Sequence, residues 1–500
     1  MALADYYARS AVAASQVLAG YDEAAISTRL EEASLGVGFT ASTARRPEGR
    51  AALDLMIRVL ARLYPRIALY PGRGADSVAA ELASLAARIN PRIEIGDGSD
   101  IRLGVWVGDS GRSLAEAMIY VGSTAWTARV GSSHAYDVGR SASPFGAGAA
   151  ACLAAANVFR WTFLPEGTRQ LDVDTTMVTV DGAPPAASRV SWPSSTLVGA
   201  GAIGQAALWA LGRSGVAGTL TVVDPEDLDL GNLQRYVLGE RSDVGRHKVA
   251  IATGALVDGS ARLELRTEQL TWESFVQAHG DLLPSVLVAL DSAESRRHVQ
   301  ATLPGWIANA WTQPGDLGVS FHRFGTGACL GCMYLPNGPV ESEDAVVSRA
   351  LGIPDRVMEV RGLLYQNAAM PEELLTVVAA RLGVEPLLAV EYRDRSIRTL
   401  YQEGVCGGAL LPIGRTGMPR SEVHVPLAHQ SALAGVLLAA GAVAHARGWS
   451  PPTTRVLRVD LMRRLPRALG FQPMERDATG RCLCRDADFL ERYRGKYSSL

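Results

Sequence analysis

Lysine is almost missing from this chain. Of its 49 basic residues only Lys248 and Lys496 are lysines. In a sequence that writes arginine wherever a positive charge is wanted, a surviving lysine asks for a reason. Lysine offers a compact, mobile point charge where arginine presents a wide planar fork. Lys496 lies in a polar tail, where chance suffices, but Lys248 falls inside a motif. Net charge is scarce too: 49 Lys+Arg against 51 Asp+Glu leaves −2. So weak a balance argues against nucleic acid or an anionic membrane as the main partner. The most apolar stretch, Ala432 to Ala444, is shorter than the roughly 20 residues that span a bilayer and reads as a buried helix. The start, MALADYYARSAVAASQ, carries Asp5 and no apolar run of signal type, so a cytoplasmic protein is expected. With 6 cysteines and no secretion signal, a disulfide framework is not expected. What remains is ordinary: 48% hydrophobic and 20% charged residues, the balance of a globular protein. At roughly 100–200 residues per domain the chain has room for about three folding units.

Two α/β halves are legible. In the first, RIALYPG (66–72), RIEIGDG and IRLGVWVGD read as strands, and ADSVAAELASLAARI (75–89) as a helix. SLAEAMIYVG reads as helical, and PFGAGAAACLAAANVFRWTF (144–163) as a closely packing small-residue helix. Such alternation predicts parallel sheet with crossover helices. A loop rich in Pro, Ala and Ser (181–195) divides the halves. The second half runs TLVGAGAIGQAALWALGRSG, TLTVVD and LLPSVLVALD, then a charged, helical insertion over about 336–404. SALAGVLLAAGAVAHA and the strand-like TTRVLRVDL close it.

Gly199, Gly201 and Gly204 form a G-x-G-x-x-G turn between a strand and a helix. Such glycines let the backbone approach a phosphate at a helix N-terminus. Asp224, ending TLTVVD, is placed to bind ribose hydroxyls. A nicotinamide or flavin enzyme would look the same to this point. Asn232-Leu233-Gln234-Arg235 and Lys248 separate the readings. Triphosphate chemistry needs cations to hold phosphates and to offset the charge that develops as pyrophosphate leaves, whereas hydride transfer does not. Asp291 ends VLVALD, with Arg296 behind it. A carboxylate there can face the ligand crevice and hold Mg²⁺; helix capping by Asp291 is the alternative.

The glycine turn, Asp224, NLQR at 232–235, G-x-x-K at 245–248 and D-x-x-x-x-R at 291–296 resemble the ThiF/MoeB and ubiquitin-activating enzyme superfamily over about 110 residues. Ala202 stands where that superfamily usually has glycine, and Ser292 where asparagine is common. Neither removes a charge. The resemblance implies a Rossmann-like adenylation domain using Mg-ATP on the C-terminal glycine carboxylate of a ubiquitin-like protein. It implies Asp224 for ribose, Asn232, Arg235 and Lys248 for phosphates, and Asp291 for Mg²⁺. Because the family works as pairs of units, residues 1–187 are expected to be a degenerate adenylation-like domain and 188–500 the active one, with a catalytic-cysteine insertion at 337–418. The first half contains no NLQR and no lysine; Arg9 is its candidate for a charge reaching the phosphates. A homodimer stays open.

Cys329-x-x-Cys332 and Cys482-x-Cys484 suit a four-sulfur Zn²⁺ site, which the family resembles apart from the tighter second pair; unliganded buried thiols are the alternative. Cys152 reads as a small core residue. Cys406, flanked by Gly404, Gly407 and Gly408, stands where the family often carries a thioester-forming cysteine. Two enzymatic readings follow. One is adenylation, thioester formation on Cys406 and transfer to a conjugating enzyme, with bacterial antiphage conjugation systems as the analogy. The other is adenylation alone, activating a sulfur-carrier protein.

Overall fold

A computed structural model describes residues 3–18, 23–96, 100–164, 173–176, 191–256, 262–313, 316–336, 342–384, 392–401, 405, 425–448, 454–463 and 470–498. The chain divides into two compact units, one of residues 1–4, 30–335 and 428–500, the other of 5–29 and 336–427.

The first unit contains two sheets of one plan. Strands β1 (Leu35–Phe39), β2 (Arg66–Pro71), β3 (Glu94–Gly96), β4 (Leu103–Val107), β5 (Ala117–Thr124), β6 (Thr127–Gly131) and β7 (Val173–Thr176) lie in the order β3-β2-β1-β4-β5-β6-β7. The second sheet has β8 (Ser191–Val198), β9 (Ala217–Val223), β10 (Arg262–Glu268), β11 (Val286–Val288), β12 (Ile307–Gln313), β13 (Asp316–His322), β14 (Arg455–Val459) and β15 (Gln472–Pro473). Their order is β10-β9-β8-β11-β12-β13-β14-β15. In each sheet the first five positions pair in parallel and the rest antiparallel. The chain traces both in one sequence: central strand, crossover helix, outward strands, then return across the centre. The helices Pro47–Leu60 and Ala202–Arg213 follow β1 and β8. Two small-residue helices, Phe145–Phe163 and Ala428–Ala446, precede β7 and β14. This is the Rossmann-like α/β class expected of an adenylation domain, and the parallel cores demand the crossover helices because parallel strands cannot be joined by a tight turn.

These four helices form the middle of the unit. Gly435 is there because a Cβ would come 2.3 Å from the Ile203 carbonyl oxygen and 2.5 Å from Ala206 Cβ. Across the halves, Asp54 Oδ2 accepts from Trp209 Nε1 at 2.6 Å and Arg213 Nη2 at 3.2 Å, and within its own helix from Arg58 Nε at 2.9 Å.

Two expectations fail locally. SLAEAMIYVG is not a helix: Ala117–Thr124 is strand β5. Its Met-Ile-Tyr-Val run is rich in β-branched and aromatic residues, and central sheet pairing to β4 and β6 outweighs the weak helical preference of SLAEA. The stretch taken as a dividing loop to Ser195 is already strand β8 from Ser191.

The second unit is helical. Helices Glu343–Ala350, Val357–Gln366 and Glu372–Leu382 close over Val347, Leu351, Val360, Leu374, Val378 and Leu400. The N-terminal helix Tyr7–Val17 belongs to the same unit, where Gln16 Oε1 accepts from the Val425 amide at 2.8 Å.

Candidate active site

The glycine turn leaves β8 and opens the helix Ala202–Arg213. Gly199 has φ +95°, a left-handed value that favours glycine, and a Cβ there would lie 2.6 Å from the Ala289 carbonyl oxygen. At Gly204 a Cβ would lie 2.0 Å from the Gly199 carbonyl oxygen, so helix and turn close only on hydrogen. Gly201 is different: its first neighbour would be the Tyr236 hydroxyl at 3.2 Å.

Asp224, buried beyond the end of β9, accepts from the Ala200 amide at 2.7 Å and from the Glu226 amide at 2.9 Å. Burial raises its pKa, and Lys248 with the two amides works against that rise. The 3₁₀ turn Leu230–Gln234 carries the NLQR motif. Asn232 Oδ1 accepts from the Asp229 amide at 3.2 Å, which spends one end of its side chain on local structure. Arg235 ends the turn. Its Nη1 is buried and, among the described residues, has no hydrogen-bond partner. Burial pulls its pKa down, against the pull of Tyr236 and Asp291.

Lys248 starts the short helix Lys248–Ile251 and is 5% exposed. Its amide donates to the Glu226 carbonyl at 3.0 Å, the Gly245 amide to the Leu228 carbonyl at 2.8 Å and the Leu228 amide to the Arg246 carbonyl at 2.8 Å, so the segments 226–228 and 245–248 are held side by side. Its Nζ donates to Glu226 Oε2. Burial alone would lower the lysine's pKa; Tyr236, Glu226 and Asp224 more than offset this and hold it above its ordinary value, so the ammonium stays charged. The ring of Tyr236 contacts both cations, its centroid 5.5 Å from Arg235 Cζ and 5.4 Å from Lys248 Nζ.

Asp291 lies past the end of β11, exposed, and among the described residues its carboxylate has no hydrogen-bond or ion-pair partner. It does not cap the following helix. Ser292 does, its hydroxyl accepting from the Ser295 amide at 3.0 Å. Arg296 has a supporting part: its Nη2 donates to the carbonyls of Leu290 and, at 3.1 Å, Ala310, fixing the turn that carries Asp291 to β12.

The Sγ atoms of Cys329, Cys332, Cys482 and Cys484 all lie within 4.8 Å of one another. Nothing bonds them covalently, and the Asp477 amide points a donor at Cys332 Sγ from 3.4 Å. A soft four-sulfur set of this spacing could hold a metal ion. Cys152 is fully buried, as a core residue. Arg9 lies on the helix Tyr7–Val17 in the other unit. Cys406 lies outside the described residues.

The glycine turn, Asp224, Asn232, Arg235, Lys248 and Asp291 thus come from five separate stretches to the C-terminal ends of β8, β9 and β11, where open parallel sheets bind ligands. Residues 186–468 match the model described as ThiF family. The chain belongs to the ThiF family. Residues 38–164 match a second model, Prokaryotic E2 family C. An uncharacterized protein, y4jF of Sinorhizobium fredii, is 41% identical over 514 aligned residues, covering 100% of this chain and 98% of its own length. The Escherichia coli sulfur carrier protein ThiS adenylyltransferase is 27% identical over 225 residues, 43% of this chain and 85% of its own. Human ubiquitin-like modifier-activating enzyme 7 is 36% identical over 119 residues, 21% of this chain and 11% of its own. As a ThiF-family member the chain is adenylyltransferase-like. Among the described residues no helix is long and apolar enough to cross a membrane.

What sequence reasoning missed is Tyr236. It follows Arg235 directly, yet an aromatic at a motif's end carries no charge to draw attention.

Proposed function

We propose that this ThiF-family chain adenylates the C-terminal carboxylate of a ubiquitin-like protein. The observation that carries the reading is the buried Nη1 of Arg235, which has no hydrogen-bond partner among the described residues. A buried guanidinium nitrogen without an acceptor is costly in a finished structure, and a phosphate oxygen is the acceptor it suits. In the reaction a carboxylate oxygen attacks the α-phosphorus of ATP and pyrophosphate leaves, giving an acyl-adenylate. Lys248, freed from Glu226, and Arg235 offset the charge on the departing phosphates, with Asn232 beside them, while Asp224 takes the ribose and Gly201 lets the backbone approach. Asp291 would hold Mg²⁺, which neutralises phosphate charge when bound. Zn²⁺ is the metal we assign to the four cysteines.

In the second step the Cys406 thiolate attacks the acyl carbon, AMP leaves, and the thioester passes to a conjugating enzyme; bacterial antiphage conjugation is the setting suggested by analogy. The domains we propose are 1–187, adenylation-like and inactive, and 188–500, active, with 337–418 carrying Cys406. The likeness of 38–164 to a prokaryotic E2 model does not by itself give that segment a thioester role: its one cysteine, Cys152, is 0% exposed. The E. coli ThiS adenylyltransferase supports the second reading, activation of a sulfur carrier without a relay.

Partner-dependent ATP–pyrophosphate exchange tests the first step. Lys248→Ala is expected to lose exchange while remaining folded; ordinary exchange in this variant refutes the phosphate assignment. A non-reducing gel separates the readings. Cys406→Ser should keep exchange and lose the reductant-sensitive adduct, and an adduct that survives in Cys406→Ala places the nucleophile elsewhere.

A further inference from the structure

The first half lacks a phosphate loop, yet it holds a segment of the nucleotide site in the second. Arg62, just past the helix Pro47–Leu60, is 1% exposed. Its Nη2 donates to the Tyr236 carbonyl and, at 2.8 Å, to the Gly239 carbonyl. Arg58 Nη1, on the same helix, donates to the Val237 carbonyl at 2.9 Å. Arg88, on the next helix Asp76–Ile89, pairs with Glu240 at 2.8 Å. Three arginines of the first half thus reach four of the five residues Tyr236 to Glu240. From the other side Gln205, one residue beyond Gly204, accepts from the amides of Leu238 and Gly239 at 3.1 Å each.

The segment so gripped begins at Tyr236. Its ring contacts both Arg235 and Lys248, its hydroxyl stands 3.2 Å from a Cβ built on Gly201, and among the described residues that hydroxyl has no hydrogen-bond partner. We propose that Arg62, as a positioning residue, fixes Tyr236 against the two cations and beside the glycine turn, so that the first half sets the ATP affinity of the second. The inference rests on the adenylation reading above. Its physical core is that a charged donor bridging two carbonyls across a turn removes the freedom of that turn. With the turn loosened, Arg235 must be ordered anew each time a nucleotide binds, and that cost appears in Kd rather than in the chemistry.

Binding of a non-hydrolysable ATP analogue, measured by calorimetry on the full chain alongside melting temperature, tests it. Arg62→Ala should weaken binding about tenfold, which is roughly 1.4 kcal/mol, and Arg62→Lys, which keeps the charge but not the fork, should recover part of that. Arg88→Ala, at a half-exposed pair, should weaken binding about twofold. In pyrophosphate exchange the Arg62 variants should raise the KM for ATP more than they lower kcat. Arg66→Ala, which removes a half-exposed pair with Glu94 elsewhere in the first half, should leave Kd unchanged. A folded Arg62→Ala that binds the analogue as wild type does overturns the inference while leaving adenylation standing. Should Arg62→Ala not fold, wild-type Kd in both Arg62→Lys and Arg88→Ala overturns it. A wild-type chain that does not bind the analogue at all overturns the adenylation reading, and this inference with it.

Discussion

At the scale of single residues, charge in this protein is fixed by burial. Both lysines illustrate it. Lys248 is buried with its Nζ on Glu226, and Lys496, which reads in the sequence as a tail residue left by chance, donates from Nζ to the Thr302 carbonyl at 2.7 Å and pairs with Asp281 at 3.2 Å. Each occupies a place where a compact ammonium on a flexible stem is surrounded by acceptors. Asp54 gives the clearest measurable case. Burial alone would raise its pKa; Arg58, Arg213 and the Trp209 indole bring it below the ordinary value of 3.8. A depressed folded pKa stabilises the protein above the unfolded value, and that contribution is lost as pH falls through the folded one. Asp54→Asn strips Arg58 and Arg213 of their shared charge inside the unit and should cost on the order of 3 kcal/mol at pH 7. Denaturant melts compared with wild type should show a gap that is constant from pH 7 to about 5 and narrows only below the ordinary carboxylate range. A gap that closes nearer neutrality would mean that the Asp54 carboxylate is not the source.

At the scale of elements, the cysteine cluster is tied to the turn of Asp291. The short helix Leu330–Met333 sits between Cys329 and Tyr334. Its Leu330 amide donates to Gln300 Oε1 at 2.8 Å, on the helix that starts beyond Ser292. The ring of Tyr334 lies 4.9 Å from the Arg296 guanidinium carbon, and Arg296 fastens Leu290. Metal analysis of the purified chain should find about one zinc per molecule. Cys484→Ser should release it and lower the melting temperature, because the four sulfurs then no longer join Cys482 and Cys484 to the helix Leu330–Met333. A metal-free wild type with the same melting point would show that packed thiols suffice. The elements also show where sequence patterns mislead. Periodicity identified the long helices, whose faces are set by local spacing, but it misassigned β5, whose state is decided by neighbours far along the chain. Likewise Asp291 and Ser292 offer the same capping chemistry in sequence, and only the helix's actual start gives the cap to Ser292 and leaves the carboxylate exposed.

At the scale of the molecule, the motif charges were legible because chemistry restricts which residue types serve and the chain keeps them in order. The grip on Tyr236 was not, because Arg62 and Tyr236 lie 174 positions apart and a carbonyl acceptor leaves no mark on residue identity. The repeated strand order was half legible: alternation of strand and helix appeared in both halves, but the antiparallel return in each comes from pairing that a linear reading does not contain. This repetition bears on what the halves are worth apart. The helix Ala428–Ala446 is buried from Ala428 through Ala444, so apolar contacts surround it on every side, as expected of a helix without a polar face. It packs on Ala202–Arg213 of its own half and on Phe145–Phe163 of the first. Cutting the chain in the segment before β8 and expressing residues 188–500 alone would expose that flank, together with the Arg213 and Trp209 groups that now bond to Asp54. An apolar surface of this kind associates. The fragment is therefore expected to aggregate, and co-expression with residues 1–187 to recover a soluble complex that binds the ATP analogue as the intact chain does. A monodisperse 188–500 fragment with wild-type affinity for the analogue would show that the second half carries its site unaided.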